Sequence, residues 1–430
     1  MEVVSIFILF ILLSFASVPI AISMGIAVFA LCLLTGVPLS IIPQTAFTSL
    51  NNFAYIAVPL FLLVGNLMET GGLSKRIVNF SSSLLLKMPG SLGSINILSC
   101  AFFGAISGSA SATTAAIGGM LVPEMTQRNY PKGYSGALSA VSGTLGAMIP
   151  PSIVMIIYAI TAEISVADMF LAGFLPGVIL AIGLIVVNSI YAIIKKVDIP
   201  NQTSSFNWTN VGVTFWEAKW ALLSPVLVLG GIYTGVFTAT EAAVIATVYS
   251  LIVGLFIHRE LKFKDLFGIF AKTVRTVGSI IIIVPFASIL GRLLTLNQVP
   301  QQIGIWATSI TQDPSVMMIL FVCLITLSGM FMYATPLILI FTPLFLPILV
   351  NMGISPIHFG IILTLGAMLG AVTPPVGVNL FIGQAISGAK TLNIMKYAFF
   401  FIAVFLVIYI FITMNPWISD AVVNLSRSVS

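Results

Sequence analysis

The sequence predicts an all-α polytopic membrane protein made of two related halves, each with about five membrane spans and one re-entrant hairpin. Three observations predict this class: apolar residues dominate the whole chain, one proline-containing string occurs twice, and basic residues fall on one side of the predicted spans. Of 430 residues, 59% are hydrophobic and 7% are charged, whereas roughly a quarter of the residues in a soluble domain are charged. Apolar runs long enough to cross a bilayer recur along the chain, so no separate soluble domain is expected.

The repeated string is LGAMIPP at 145–151, which recurs as LGAVTPP at 369–375, 224 residues later. A Pro-Pro pair removes backbone donors and interrupts any helix that it enters. In a membrane, a broken helix is tolerated only where it is buried in protein or lines a cavity. A structural kink is the alternative explanation, but matched breaks in two halves are typical of the binding site of a transporter.

The halves are predicted at 1–196 and 218–430, joined by a polar cytoplasmic linker at 197–217. Each half is expected to hold one hairpin and one Pro-Pro-broken helix, at about 94–123 and 136–161, then at about 315–350 and 358–386. Plain spans are expected at 3–17, 19–36, 53–68, 169–194, 219–236, 239–257, 276–296 and 396–414. The polar stretches at 40–52, 258–275 and 298–313 are interpreted as connections between spans. An odd number of spans per half means that the halves enter the membrane in opposite senses, as an inverted repeat.

The basic residues support this topology. With the 70–93 loop inside the cell, 15 of the 17 Lys and Arg residues face the cytoplasm, and the exceptions are Arg292 and Arg427. This asymmetry is what the positive-inside rule predicts. The net charge of +5 therefore reflects membrane orientation and does not indicate nucleic-acid binding.

A run of small polar residues, SGSASATT at 107–114, marks the expected tip of the first hairpin. Its hydroxyls and carbonyls are predicted to meet the first broken helix and complete an ion site, with Ser111 available to substrate. Close helix packing is the alternative, because small residues let backbones approach. The equivalent in the second half is Ser328-Gly329 with Thr335, which is also a candidate for substrate binding.

Two further polar residues are candidates for substrate contact. Arg292 is the one basic residue placed within a span, where it either meets a substrate carboxylate or extends toward the outer interface. Asn379 follows the second break and either hydrogen-bonds substrate or makes an interhelical polar contact. The sequence leaves both pairs of alternatives open.

Carboxylates are informative because none of the 12 Asp and Glu residues is placed in the middle of a span. A proton-driven carrier usually needs a buried titratable relay, so this distribution favours Na⁺ held by backbone carbonyl and hydroxyl oxygens. Glu241 is explained better by a capping box with Thr238 at the start of a helix. No P-loop, metal-ligand or nucleophile arrangement is present, which disfavours an ATPase or an intramembrane enzyme.

Several strings together resemble the large membrane subunit (M, or DctM-like) of tripartite ATP-independent periplasmic (TRAP) transporters, over essentially the full length. They are FFGAISGS at 102–109, GMLVP at 119–123, GTLG at 143–146 leading into IPPS at 149–152, GGIYTGVFTATEAA at 230–243, and GAVTPP at 370–375. The Thr-Pro-Thr-Glu string common in that family is Thr-Ala-Thr-Glu here, which leaves the helix cap intact.

This resemblance implies an elevator-type symporter in the bacterial inner membrane, driven by a Na⁺ gradient with two or more ions. It implies an organic-acid substrate, such as a C4-dicarboxylate or a sialic acid, delivered by a separate periplasmic binding protein, and a small four-helix membrane subunit (Q-type). It also implies Na⁺ sites at the hairpin tips and broken helices, one at Ser107, Ser109, Gly146, Ile149 and Pro151, the other at Gly329, Gly370, Thr373 and Val376. The alternative is a stand-alone divalent-anion:Na⁺ symporter that needs no binding protein.

Overall fold

A computed structural model describes residues 9–10, 12–13, 16, 18–199 and 207–429. The predicted first span at 3–17 lies mostly outside these residues, as do residues 200–206 of the predicted linker. Within the described residues the secondary structure is helical, with no strand.

The first half, counted over residues 18–199, contains ten α-helices, several of them short. A 3₁₀ turn at Phe53–Ile56 leads into the third of them. The helices are α1 (Ile20–Thr35), α2 (Ile41–Leu50), α3 (Ala57–Thr70), α4 (Leu73–Leu85), α5 (Ser91–Ser107), α6 (Ala110–Gln127), α7 (Lys132–Gly143), α8 (Leu145–Met148), α9 (Ile153–Thr161) and α10 (Val166–Lys195).

The second half, counted over residues 207–429, contains eleven α-helices. A π-helical turn at Val253–Ile257 extends the second of them. The helices are α11 (Trp208–Tyr233), α12 (Ala239–Ile252), α13 (Phe263–Ile281), α14 (Ile283–Leu296), α15 (Val299–Ile310), α16 (Pro314–Gly329), α17 (Ala334–Asn351), α18 (Pro356–Gly370), α19 (Val378–Ser387), α20 (Thr391–Met414) and α21 (Trp417–Val429).

Seven helical segments in the described part of the chain are long and apolar enough to cross a bilayer. They are Phe53–Thr70, Val166–Lys195, Trp208–Tyr233, Ala239–Ile257, Phe263–Leu296, Ala334–Asn351 and Thr391–Met414. An eighth is the bent pair Lys132–Met148 and Ile153–Thr161, whose two parts meet at 45° across the first Pro-Pro string. The predicted class, an all-α polytopic membrane protein, is confirmed. The inverted relation of the halves stays a prediction.

The stretches interpreted as connections are mostly helical. Residues 258–275 lie largely in α13, 298–313 in α15, and 40–52 in α2, while α11 begins at Trp208 inside the predicted linker. The polar residues of these stretches predict loops, and this prediction is wrong for most of their length. In α13, however, Ile269 and Thr273 are buried at helical spacing while the intervening Lys272 is exposed. Polar residues on one face of an amphipathic helix are as frequent as in a loop, so composition alone does not separate the two.

The hairpins and broken helices pack into one body that positions the site. The arms of the first hairpin, α5 and α6, pack on each other and on α7, and α7 is covered in turn by α19 and α20. In the second half, α18 packs against α16 and α17, and α10 packs against α5, α20 and α21. Of the remaining helices, α3 and α4 contact this body through α5.

The predicted capping box at the start of α12 is confirmed. The Thr238 hydroxyl accepts a hydrogen bond from the Glu241 backbone amide at 3.3 Å, and the Glu241 carboxylate accepts one from the Thr238 amide at 2.8 Å. Glu241 therefore stabilises a helix end, as two of the four unpaired amides of that end are satisfied.

Candidate functional site

The first hairpin turns at Gly108, between the buried Ser107 at the end of α5 and Ser109 before α6. Gly108 has a positive φ of 62°, a conformation that residues with a Cβ atom rarely adopt. The Ser107 hydroxyl and the Thr113 hydroxyl are hydrogen-bonded at 2.8 Å across the turn. The turn therefore concentrates two hydroxyls and several carbonyls within one compact loop.

This turn lies directly against the first Pro-Pro break. The Ile153 amide, just past the break, donates a hydrogen bond to the Gly108 carbonyl at 3.2 Å. A methyl group placed on Gly104 would lie 2.6 Å from the Cα atom of Gly146, and one on Gly146 would lie 2.7 Å from the Ser109 carbonyl oxygen. Real Cβ contacts are not that short, so the glycines permit the backbones to touch.

The structure thus brings together four of the five residues proposed for the first ion site: Ser107, Ser109, Gly146 and Pro151. A methyl group placed on Gly108 would lie 2.9 Å from the Pro151 carbonyl oxygen. The fifth residue, Ile149, is buried against Gly177 of α10. Both Pro-Pro bonds of the repeated string are cis.

The second half repeats this contact with different side chains. A methyl group on Gly370 would overlap the Gly329 backbone, lying 2.5 Å from the Gly329 Cα atom. The Val376 amide, just past the second break, donates to the Met330 carbonyl at 3.3 Å. The Thr373 hydroxyl donates to the Leu369 carbonyl at 2.6 Å. Gly329, Gly370, Thr373 and Val376 therefore surround one hairpin-to-break contact.

The polar atoms that could bind a cation at these two contacts are mainly carbonyl and hydroxyl oxygens. Among the described residues, no Asp or Glu of a membrane-spanning helix is buried. No group of three or more His, Cys, Asp or Glu in this part of the chain is positioned to hold a metal. Backbone carbonyls and hydroxyls are hard, neutral ligands that suit a weakly bound monovalent cation better than a transition metal. The composition of both contacts is compatible with Na⁺.

Two of the four predicted substrate-binding residues meet across the halves. The Ser111 hydroxyl donates to the Asn379 side-chain oxygen at 3.4 Å, although the residues are 268 positions apart. The Asn379 amide group also donates to the Ala140 carbonyl at 3.4 Å, and its backbone amide donates to Ala371 at 3.0 Å. Asn379 is buried. Its side chain connects the first hairpin to α7, and its backbone amide reaches the second break.

The other two candidates lie elsewhere. Thr335 is half-buried in the first turn of α17, the second arm of the second hairpin. Arg292 is exposed on α14, and its guanidinium donates to the hydroxyl of Thr45 on α2 at 3.0 Å. The structure joins Arg292 to Thr45 and does not join it to the Ser111–Asn379 pair. Substrate contact by Arg292 and Thr335 stays a prediction.

Sequence reasoning did not single out Gly108, Thr113 or Met330, which all take part in the hairpin-to-break contacts. Thr113 lies inside the small polar run. Its partner Ser107 is six positions away across a turn, and neither helical nor strand periodicity predicts a contact at that spacing. Met330 contributes only its carbonyl, which no side-chain pattern reveals.

Comparison with known proteins adds the family. The family described as "Tripartite ATP-independent periplasmic transporter, DctM component" matches residues 7–418. The isethionate TRAP transporter permease protein DctMQ of Oleidesulfovibrio alaskensis is 38% identical over 400 residues, which cover 93% of this chain and 63% of that protein. The C4-dicarboxylate TRAP transporter large permease protein DctM of Pseudomonas aeruginosa is 36% identical over 378 residues, 88% of each chain.

Among solved structures, MtrF of Neisseria gonorrhoeae, described as one of a class of antimetabolite efflux pumps, superposes with a TM-score of 0.61. The match covers 86% of this chain and 83% of that one, at 15% sequence identity. At this identity the likeness concerns the fold alone.

Proposed function

Because the chain belongs to the DctM family of tripartite ATP-independent periplasmic transporters, we propose that it is the membrane translocation subunit of a Na⁺-coupled importer of small organic anions. It is a transporter component and not an enzyme. The observation that carries the proposal is the paired contact of a hairpin turn with a Pro-Pro break, at Gly108–Ile153 and at Met330–Val376.

Two features of each contact support Na⁺ coupling through this site. Each break interrupts the regular hydrogen bonding of its helix. The Ser107 hydroxyl pairs with the Thr113 hydroxyl beside the first break, and the Thr373 hydroxyl donates to the Leu369 carbonyl at the second. Among the described residues, no Asp or Glu of a membrane-spanning helix is buried and able to relay protons. A neutral oxygen cage binds Na⁺ without a charged ligand, and the bound charge then helps to hold an anionic substrate.

The relatives and the local electrostatics support the substrate class that we propose. The relatives are named for isethionate and for C4-dicarboxylates, which are both small organic anions. In this chain, α9 and α19 begin directly after the two breaks, and the positive end of a helix dipole favours an anion. We propose a carboxylate or a related organic acid, a sialic acid included, held near Ser111, Thr335 and Asn379.

The proposal includes an elevator movement of the hairpin body, a location in the bacterial inner membrane, and two partner chains. One partner is a soluble periplasmic binding protein, and the other is a small four-helix membrane subunit. The decisive experiment reconstitutes all three chains in proteoliposomes and measures uptake of labelled C4-dicarboxylate, isethionate and sialic acid. We expect uptake of at least one substrate, and only with an inward Na⁺ gradient and with the binding protein present.

Two results would contradict parts of this proposal. Uptake driven by a pH gradient without Na⁺ would contradict the coupling ion. Uptake by this chain alone would favour the stand-alone symporter and would contradict the need for a binding protein.

Removing a hydroxyl at either contact should weaken the response to Na⁺. We expect Ser107→Ala and Thr373→Val each to raise the Na⁺ concentration for half-maximal uptake about tenfold, because each removes one oxygen ligand from the proposed ion site; this change corresponds to about 1.4 kcal/mol. The measurement is initial uptake against Na⁺ concentration, with expression checked in parallel.

Two matched controls lie on the helices that lead into the two contacts, α5 and α18. Ser99→Ala removes a buried hydroxyl of α5 that has no hydrogen-bond partner in the described structure. Thr364→Val removes a buried hydroxyl of α18 that donates to the carbonyl four residues earlier, as Thr373 does, but far from the break. Unchanged Na⁺ dependence in both test variants, or equal changes in the controls, would refute the ion-site assignment.

Arg292 gives a separate prediction about substrate. If its guanidinium meets a substrate anion during transport, Arg292→Ala should raise the KM for substrate at least about tenfold, as expected for a lost charge-assisted hydrogen bond. The control is Thr45→Val, which removes only the hydroxyl that Arg292 contacts in this structure. Equal and small effects of both variants would show that Arg292 serves to join α2 to α14.

A further inference from the structure

A polar groove of about 470 Å³ lies outside the transport site, between α4, the third and fourth turns of α11, and the connection from α12 to α13. Its lining includes three cationic side chains, Lys75, Arg76 and Lys219, together with Glu217 and Glu260. The positive-inside distribution places all three cations on the cytoplasmic side of the membrane. The groove therefore lies where α11 enters the bilayer.

The charges in the groove are only partly compensated. Arg76 forms an ion pair with Glu260 at 2.7 Å and donates to the Gly72 carbonyl at 2.9 Å. Lys75 and Lys219 take part in none of the ion pairs of the described residues. Three cations against two carboxylates leave one positive charge, which complements a singly charged phosphodiester.

Aromatic side chains hold one of these cations at the groove. The Lys219 ammonium lies 3.3 Å from the ring centroid of Trp216 and 5.3 Å from that of Trp220. A cation over an indole ring is attracted to it and loses freedom of movement. Tryptophan and lysine together are also typical of the headgroup level of a membrane.

The groove continues into an apolar surface along the same helix. Trp216, Leu223 and Val226 are exposed on α11, and their spacing of seven and three residues places them on one face. A ligand that fills both regions needs an anionic head and an apolar tail. An inorganic anion would satisfy the groove and leave this surface unused.

We propose that this groove binds the phosphate of an anionic phospholipid from the cytoplasmic leaflet, with the acyl chains along the exposed face of α11. Lys75 and Lys219 contact the phosphate, and Trp216 packs against the glycerol region. Because α4 also packs on α5, the first arm of the hairpin, the bound lipid stabilises the connection between the surrounding helices and the hairpin body.

The test is native mass spectrometry of the purified full-length chain, titrated with phosphatidylglycerol. The double variant Lys75→Ala with Lys219→Ala should bind this lipid about 30-fold more weakly, since each basic residue near a membrane surface contributes about a fivefold factor. The control, Lys195→Ala with Lys264→Ala, removes two cytoplasmic charges that do not line the groove and should bind as the unmodified chain does.

Two other ligands test whether the groove recognises a phospholipid rather than an acyl chain alone or a free phosphate. Diacylglycerol with the same acyl chains lacks the phosphate and should bind weakly, and inorganic phosphate should displace the phospholipid poorly. Equal binding by the two double variants, strong binding of diacylglycerol, or displacement by inorganic phosphate at the concentration of lipid would each overturn the proposal. Transport is not needed for any of these measurements, so they do not depend on the proposed function.

Discussion

Gly370→Ala should reduce substrate uptake at least tenfold in the reconstituted system. Gly370 ends α18 at the second break, and an added methyl group would overlap the backbone of Gly329 in the facing hairpin. Backbone atoms cannot rotate away as a side chain does, so the hairpin turn must separate from the break. Overpacking of this kind costs about 1–3 kcal/mol, and here the displaced atoms are those of the proposed ion site.

The control for this prediction is Gly278→Ala on α13, where a methyl group meets no atom within 4 Å. In an open helical position, glycine to alanine stabilises the fold by about 0.5–1 kcal/mol. The two variants should therefore shift the Tm in opposite directions, and only Gly370→Ala should impair uptake. Normal uptake by Gly370→Ala would show that the contact between Gly329 and Gly370 is not required for transport.

Asn188→Ala should give the largest loss of stability, about 2 kcal/mol. Asn188 is fully buried in α10, where its side-chain oxygen accepts from the Tyr134 hydroxyl at 2.9 Å. Its amide group donates to the Gly90 carbonyl at 2.8 Å and to the Ser94 hydroxyl at 3.0 Å. A hydrogen bond in a membrane protein contributes about 0.6 kcal/mol on average, and buried groups left unpaired add to that cost.

These three bonds join α10 to the start of the first hairpin and to the start of the first broken helix. Loss of Asn188 should therefore lower the Tm of the purified chain, measured in detergent. The matched control is the neighbouring Ser189→Ala, because the Ser189 hydroxyl is buried without a hydrogen-bond partner in the described structure. Its Tm should stay the same or rise. A Tm of Asn188→Ala equal to that of the control would refute the connecting role.

The general architecture was predictable from the sequence because it depends on properties that repeat along the chain. Apolar runs follow from the bilayer, which acts on every span in the same way, and the Pro-Pro string is visible as a repeat in the sequence itself. Asn188 is also recognisable in the sequence, because it is the one asparagine of a largely apolar span. Polar residues at such positions usually need a partner.

Other features required the folded chain. Amphipathic helices such as α13 carry too many polar residues for composition to distinguish them from loops. Arg292 has its partner, Thr45, 247 positions away, and nothing in either local sequence indicates that pairing.

The sequence by itself determined that two interrupted helices lie in a bilayer, because proline and apolar residues act locally on the backbone and on solvation. Only the tertiary structure decided what faces each interruption. It sets Gly108 against Ile153, Gly329 against Gly370, and Ser111 against Asn379. Such contacts depend on the packing of segments far apart in the chain. A glycine permits a close backbone contact, but the sequence does not show which segment it contacts.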